Sequence, residues 1–344
     1  MEAQEWGPMP ADDADSLTSG LAEALASSLG PVTIERLRRL TGGASRETWS
    51  FDATTAEGHR HALVLRQDFP GGATQNPDVL AGRPDALDRA GEYALLEALH
   101  AGGIPVPRPV ALPAGRGLTN CFIMERVEGE ARPHILVRDP GLAAARDDLA
   151  TKLGSTLARI HALGEADLPP LPRRGVEEKL VIARTLLDRA PLRPALEMAY
   201  RWCVERQPVS TDLRLVHGDY RTSNYLVGPE GLRAVFDWEF SHLGDPHEDL
   251  AYVCMRAWRF GVDEEEVGGV GSREDLYAGY EAAGGGPIDP LAVRYSEILG
   301  HLFTAAVFLM RAVQYLDNSE RSLEGAAIGR RVAEIEYDLV RLLD

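Results

Sequence analysis

The first third of the chain alternates apolar and polar residues between short turns, a pattern typical of half-buried β-strands. Five strands are predicted here, at 32–40, 48–53, 61–67, 106–112 and 121–127. Apolar residues recur at helical spacing through 85–100, before a Gly-Gly pair, so one helix is predicted among the strands. The Gly- and Pro-rich stretch 69–84 predicts a surface loop.

After residue 128 the spacing of apolar residues becomes mostly helical. Helices are predicted at 141–163, 176–189, 195–206, 249–258, 273–283, 291–316 and 325–343, with a Pro-rich linker or lid at 168–174. A sheet followed by helices predicts an α+β fold of two lobes, with a nucleotide between them. We expect an N-terminal lobe at 1–127, including an extension at 1–30, and a larger helical lobe at 128–344 that carries a catalytic loop at 215–239.

Composition narrows the possible partners and the setting. The 344-residue chain is 44% hydrophobic, enough for substantial cores, and its formal charge of −17 argues against nucleic acid or an anionic membrane as a main partner. Three widely spaced cysteines in apolar sequence predict reduced core thiols and a cytoplasmic setting. No signal peptide is expected, and the apolar run 298–310 is too short to span a bilayer, so it predicts a buried helix.

The segment that contains His217, Asp219 and Asn224 carries the chemistry. Two apolar runs around a Gly-Pro turn follow it and predict a hairpin that returns Asp237 to the same loop. This is the arrangement used in phosphoryl transfer, in which one Asp takes or orients the acceptor proton while Asn and a second Asp hold Mg²⁺. The alternative is structural, because His-Gly-Asp is a common turn and Asp and Asn cap loops; the coincidence of spacing and hairpin favours phosphoryl transfer.

Cations near this segment could hold phosphate groups. Arg221, two residues after Asp219, is placed to neutralise the transferring phosphoryl group. Arg66 ends a predicted strand where a kinase-type site needs a cation for the nucleotide phosphates; a surface Arg is the alternative. Glu92 is the preferred carboxylate to orient Arg66, with Asp88 and Glu97 as competitors.

Two further segments predict nucleotide contacts through the backbone. Gly42, Gly43 and Ser45 lie between two predicted strands, where small residues let N–H groups approach phosphates, although a Gly-Gly turn in a hairpin is the commoner occurrence. Glu125 and Val127 follow the last predicted strand and are expected to meet the edge of the base. Backbone recognition does not discriminate ATP from GTP.

These motifs, taken in order, resemble the aminoglycoside phosphotransferase and choline kinase-like family of the protein-kinase-like superfamily. The variant with Arg66 and Asp219-Tyr220-Arg221 is most similar to the branch found as a kinase domain beside acyl-CoA dehydrogenases. The resemblance implies a two-lobed protein-kinase-like fold, Mg²⁺ with ATP or GTP, Asp219 as base, and Asn224 with Asp237 as metal ligands. Arg66 replaces the more usual Lys, and Arg46 stands where this branch often has Asn.

The predicted activity is phosphorylation of a hydroxyl group on a small molecule. A pseudokinase that binds nucleotide without transfer is the alternative, which Arg66 leaves open and which the complete set of Asp219, Asn224 and Asp237 argues against. Two acceptor classes compete: the branch resemblance favours a hydroxyacyl compound, and the acidic chain favours an aminoglycoside-like cation. Acidic residues around the acceptor would indicate the cation, and a basic or apolar tunnel the acyl compound.

Overall fold

The structure is a computed structural model that describes residues 11–40, 47–68, 86–113, 118, 120–208, 213–317 and 323–344. The predicted phosphate loop with Gly42, Gly43 and Ser45, and the predicted surface loop 69–84, lie outside the described residues. The described part is an N-terminal antiparallel sheet followed by a mostly helical portion, which confirms the predicted α+β class.

The N-terminal sheet contains five strands in the order β1-β2-β3-β5-β4, and every adjacent pair is antiparallel. The strands are β1 (Val32–Leu40), β2 (Glu47–Thr55), β3 (Arg60–Gln67), β4 (Pro109–Ala111) and β5 (Cys121–Glu125). The strand predicted at 106–112 was too long. Pro105, Pro107 and Pro109 have no N–H group to donate to a ladder, so β4 is confined to three residues.

The outer face of the sheet is covered by helix α1 (Ala11–Leu29), which was not predicted within the supposed N-terminal extension. Leu21 and Leu25 on α1 are completely buried in one apolar cluster with residues of β2 and β3, among them Phe51 and Leu65. The opposite face lies towards α2 (Arg89–Ala101) and the helical portion. Helix α2 begins later than predicted because Asp88 caps it by accepting a hydrogen bond from Gly91 N–H at 2.7 Å.

The C-terminal portion contains ten α-helices and four short strands among the described residues. The helices are α3 (Pro133–Leu136), α4 (Ala143–Arg146), α5 (Leu149–His161), α6 (Val176–Leu187), α7 (Pro194–Glu205), α8 (His247–Tyr252), α9 (Arg273–Ala282), α10 (Pro290–Leu316), α11 (Leu323–Gly329) and α12 (Val332–Leu343). The strands are β6 (Arg214–Val216), β7 (Tyr225–Gly228), β8 (Gly231–Val235) and β9 (His242–Gly244), which pair as β6 with β9 and β7 with β8.

Three of the predicted helices were too long. The helix predicted at 141–163 is interrupted at Asp147 and Asp148, and Asp148 takes the N-cap position of α5, where Asp is favoured over a helix interior. The helix predicted at 325–343 is divided after Gly329, a poor helix former that lies against Ala312 of α10. The helix predicted at 249–258 is the shorter α8, followed by a separate turn.

The longest helix, α10, crosses the apolar core of the helical portion. Leu299 and Leu302 on α10 lie in a cluster with residues of α6, α7 and α12. By length and composition α10 could cross a membrane, but half of its most apolar window is buried inside the protein, as in a core helix. The three cysteines are buried and unpaired, as predicted.

Candidate active site

The hairpin β7-β8 brings Asp237 to the loop that carries Asp219. Tyr225 pairs with Val235, and beyond that pair Phe236 N–H donates to Asn224 C=O at 2.9 Å. Asp237 then adopts a left-handed conformation, with φ 71° and ψ 56°, which ends the strand and starts a 3-10 turn. A non-glycine residue in this region costs conformational energy and is common at functional sites.

The carboxylate of Asp219 is 6% exposed and is held from two directions. Its Oδ1 accepts a hydrogen bond from Arg221 Nε at 3.1 Å, and its Oδ2 accepts one from Asn224 Nδ2 at 2.7 Å. Asn224 Nδ2 also donates to Asp219 C=O at 2.9 Å. The five-residue spacing therefore fixes the Asp219 rotamer, because both ends of the segment converge on one carboxylate.

Arg221 lies between the Asp219 carboxylate and an aromatic ring. Its guanidinium carbon is 4.6 Å from the centroid of the Trp258 ring, and its Nη1 donates to Ser223 Oγ. Burial would lower the pKa of Arg221, but the neighbouring Asp219 carboxylate and other groups outweigh it and raise that pKa. Arg221 is thus a fixed cation, and Trp258 contributes a cation–π contact that the sequence motif did not reveal.

Asp249 supports the catalytic loop from below. Its carboxylate is completely buried and accepts hydrogen bonds from His217 N–H at 2.7 Å and Gly218 N–H at 3.0 Å. His161 Nε2 lies 3.3 Å from the same carboxylate. Burial would raise the pKa of Asp249, but the hydrogen bond from His161 and the charges around it hold that pKa below its usual value.

The turn at Gly218 and the ring of His217 complete this support. Gly218 has φ +77°, and a Cβ atom there would collide with the C=O of Phe240. His217 is completely buried, and its Nε2 lies 3.0 Å from Phe236 C=O while its Nδ1 accepts from Asp219 N–H at 3.2 Å. His217 therefore connects the loop to the hairpin and has no ring nitrogen left to act as a base.

Arg66 bridges the sheet and the helical portion. One side of its guanidinium group pairs with Asp237 Oδ1, and Nη1 lies 3.5 Å from Glu92 Oε1. Burial would lower the pKa of Arg66, but Asp237 and Glu92 outweigh it and raise that pKa well above its usual value. Glu92 is 1% exposed and also pairs with Arg89, a second buried Arg that no sequence motif marked.

Backbone hydrogen bonds alternate sides where β5 leaves the sheet. Glu125 N–H donates to Arg108 C=O at 2.8 Å, and Arg126 N–H donates to Ala62 C=O at 2.9 Å on the other side. By the two-residue period of a strand, the C=O of Glu125 and the N–H of Val127 point away from β3. The Glu125 carboxylate itself is 2.5 Å from Arg108 Nη2.

A cavity of about 60 Å³ lies beside the catalytic loop, at Gly218. Its wall is mostly uncharged, and its residues come from α6, α8, α10, β9 and the loop: Ile182, Gly218, Tyr252, Ser296, Leu299, Gly300 and Phe303, with the polar groups Lys179, His242, Glu248 and Asp249. Glu248 pairs with Lys179 and lies 3.2 Å from His242 Nε2. Lys179, His242 and Glu248 therefore pair with one another, Asp249 is held by the loop backbone, and most of the remaining wall is apolar.

Fold and site together define the class. A sheet in the order β1-β2-β3-β5-β4 carries a buried cation that faces an Asp–Asn–Asp set in the helical portion, and these are the parts of a kinase-like phosphotransferase. The model of the Phosphotransferase enzyme family matches residues 36–285, more than half of the chain. The chain belongs to this family of phosphotransferases.

Known proteins are similar to parts or to all of the chain. Acyl-CoA dehydrogenase family member 10 of Mus musculus is 32% identical over 207 residues, which cover 56% of this chain and 18% of that protein. This chain thus spans about a fifth of the length of that relative. A Ralstonia eutropha JMP134 protein, provisionally assigned as an aminoglycoside phosphotransferase, has TM-score 0.70 at 19% identity and covers 96% of this chain and 98% of its own. Spectinomycin phosphotransferase, solved with ADP and spectinomycin, has TM-score 0.63 at 16% identity, with coverage of 96% and 99%.

Proposed function

We propose that this protein transfers the γ-phosphoryl group of ATP or GTP to a hydroxyl group of a small molecule, with Mg²⁺. The observation that carries the proposal is the Asp219 carboxylate, buried yet held by Arg221 and Asn224 at the point where the Arg66–Asp237 pair closes the cleft. Positioning and charge neutralisation are what phosphoryl transfer asks of a protein, and this set of residues supplies both.

Each residue has one role in this mechanism. Asp219 orients the acceptor hydroxyl and accepts its proton as the oxygen–phosphorus bond forms. The bond between the γ-phosphorus and the bridging oxygen breaks, and the nucleoside diphosphate leaves with the electron pair. Arg221 and Arg66 neutralise the negative charge that this step concentrates on the phosphate oxygens.

The residues fit Mg²⁺. Both donor bonds of Asn224 Nδ2 go to Asp219, and its Oδ1 accepts a single long hydrogen bond from Ser223 Oγ at 3.4 Å, which a cation could replace. The Asp237 side chain is 23% exposed. Magnesium takes one or two protein carboxylates together with phosphate oxygens. Within the described ranges there is no group of three or more His, Cys, Asp or Glu residues that could hold a metal, so a cage made of protein alone is not expected. Asn224 and Asp237 would hold Mg²⁺, and the bound ion would neutralise negative charge on the phosphate oxygens.

We further propose that the base lies against the segment after β5. The C=O of Glu125 and the N–H of Val127 offer an acceptor and a donor on one side of the chain, which suits the edge of a purine. The same segment marks the boundary between lobes at 127 and 128. Arg126 N–H makes the last bond to the sheet, and Glu130 N–H already bonds to Val227 C=O of β7.

The cavity supports a hydroxyacyl compound over an aminoglycoside-like cation as the acceptor. An aminoglycoside needs several unpaired carboxylates, whereas Glu248 in this wall is paired with Lys179 and Asp249 is occupied by the loop backbone. Ile182, Leu299 and Phe303 present an apolar surface that suits an acyl chain.

The test is a mass-spectrometric screen for nucleotide-dependent gain of phosphate. The purified protein is incubated with Mg²⁺ and ATP, or with GTP, and with separate pools of hydroxyacyl compounds and aminoglycosides. We expect phosphorylated product in a hydroxyacyl pool, and loss of it in the Asp219→Asn variant, which keeps the size of the side chain but removes the base. Nucleotide binding without product in any pool would support the pseudokinase instead, and full activity of Asp219→Asn would refute the role of Asp219.

A further inference from the structure

The cleft face of the N-terminal sheet carries a buried charge network that the proposed transfer reaction does not use. Asp52 on β2 is 1% exposed. Three guanidinium groups approach its carboxylate: Arg36 at 3.2 Å, Arg126 at 3.2 Å and Arg60 at 3.8 Å. A carboxylate buried this far under a sheet needs such partners, and their placement decides what the network can do.

Alternation along the strands places this network on the face towards the cleft. Phe51 lies in the apolar cluster under α1, so its neighbours Ser50 and Asp52 point to the opposite face. Arg66, which pairs with Asp237 across the cleft, lies on the same face of β3 as Ala62. The network is therefore on the same face as the proposed phosphate-binding cation.

Arg126 crosses this face beside the segment proposed to bind the base. Its N–H donates to Ala62 C=O, and Ala62 pairs with Asp52 across β2 and β3. The guanidinium then donates to Ser50 Oγ at 2.8 Å and to Asp52 Oδ1 at 3.2 Å. The small side chain of Ala62 leaves room for Arg126 to extend beneath the sheet.

We propose that Arg126 forms the roof of the base pocket and that Asp52 and Ser50 hold its guanidinium flat for stacking on the purine. This inference rests on the proposed nucleotide site and deepens it by assigning the residue that grips the base. A planar guanidinium stacks on aromatic faces, and a base is an aromatic face. The Arg126 side chain is 21% exposed, and its guanidinium also donates to Glu128 Oε1 at 3.1 Å. Hydrogen bonds lie in the plane of a guanidinium, so a base would stack on its face.

The roles of the two arginines are separate. Arg66 lies opposite Thr48 near the end of β3 and pairs with Asp237, so it would contact the phosphates. Arg126 lies level with Ala62 and serves the base end. Loss of Arg126 should weaken ligands that carry a base and should leave ligands made of phosphate alone unchanged.

The experiment measures the binding of Mg-ADP by calorimetry and of Mg-pyrophosphate by competition, neither of which requires phosphoryl transfer. For Arg126→Ala we expect about tenfold weaker ADP binding, the size of one partly desolvated cation–π contact, and unchanged pyrophosphate binding. Arg126→Lys should show most of the same loss, because it keeps the charge without the plane. The matched control is Arg36→Ala, which removes a hydrogen bond to the same Asp52 carboxylate from a side chain that is 69% exposed.

Asp52→Asn tests the positioning role. We expect a smaller loss of ADP affinity, and the double variant with Arg126→Ala should bind ADP no worse than Arg126→Ala alone. Unchanged ADP affinity in Arg126→Ala, or tighter binding because the side chain had filled the pocket, would overturn the proposal. An equal loss for ADP and pyrophosphate would overturn it as well. Because ADP binding is measured directly, a failure of the transfer reaction does not affect these outcomes.

Discussion

Two regions that adjoin the catalytic loop are built differently. In the proposed phosphate site the groups are polar and bonded to one another, with Arg221 and Asn224 on the Asp219 carboxylate and Arg66 on Asp237. Next to the same loop, at Gly218, a cavity of about 60 Å³ has a largely apolar wall in which Lys179 and His242 pair with Glu248. The proposed mechanism thus assigns the reaction to fixed charges, and the choice of acceptor to shape and apolar contact. The two functions should therefore be separable by mutation.

The largest effect is expected for Arg66. Arg66→Met should lower kcat/KM for the nucleotide about 100-fold, because it removes a preorganised charge from the transferring phosphate. Arg66→Lys should stay within about tenfold of the parent, since it retains the charge and loses only the fork that reaches both Asp237 and Glu92. Steady-state kinetics with varied Mg-nucleotide measure both. A large rise in the acceptor KM alone would break the proposed separation.

The stability of the loop that carries Asp219 should depend on Asp249. Asp249→Asn removes the charge and places an amide donor against the N–H groups of His217 and Gly218, so we expect a loss of about 3 kcal/mol in the free energy of unfolding. Urea titration followed by circular dichroism measures this loss. The control is Asp289→Asn at the exposed start of α10, where Asn caps as well as Asp. Equal stability of the two variants would contradict the role of Asp249.

The paired charges in the cavity wall should give a pH-dependent stability. Burial would raise the pKa of Glu248, but Lys179 and His242 outweigh it and hold that pKa at about 2, below its usual 4.5. The stabilisation is therefore fully present above pH 4.5 and is lost as the pH falls towards 2, and it amounts to about 3 kcal/mol. In urea titrations, Glu248→Gln should be less stable than the parent at pH 7, and the difference should shrink at pH 3.5. A constant difference between these pH values would refute the assignment.

The smallest effect is expected for a change of shape in the acceptor cavity. Gly300 on α10 lines it, and a Cβ there would lie 3.3 Å from Met255 Sδ. Gly300→Val should raise the KM for the acceptor about tenfold, in line with roughly 1–3 kcal/mol for a methylene-sized change in a hydrophobic pocket. The KM for the nucleotide should stay unchanged. The acceptor KM of Gly300→Ala should lie between those of the parent and of Gly300→Val. A change in the nucleotide KM would contradict the proposal that this cavity binds the acceptor.

The sequence predicted the parts of the fold in which local preference and tertiary packing agree. The pattern of β2 and β3 and the long apolar period of α10 were correct because each element buries a continuous face. Helix α1 was missed, since its buried residues Leu21 and Leu25 follow a polar stretch that looked like a tail. The break at Asp147 and Asp148 was missed because apolar spacing continues across it.

The arrangement of the candidate catalytic residues was predictable for a related reason. Asp219, Asn224 and Asp237 are brought together by one loop and one hairpin, so their geometry is encoded in short spacings. The cavity was not predictable, because ordinary residues such as Ile182 and Phe303 line it from distant helices. Likewise, nothing in the sequence joined Asp52 to Arg126, which lie 74 residues apart.

The three cysteines have a practical consequence. Cys121 lies in the apolar cluster between the sheet and α1, Cys203 in the cluster around α10, and Cys254 in the cluster next to the catalytic loop. Burial raises the pKa of each thiol to about 12, so alkylating reagents can react with each of them only after its own region opens. The alkylation rate of each cysteine therefore reports how often the apolar cluster around it opens. Site-resolved labelling rates can report which of the three regions tightens when a ligand binds, without any introduced probe.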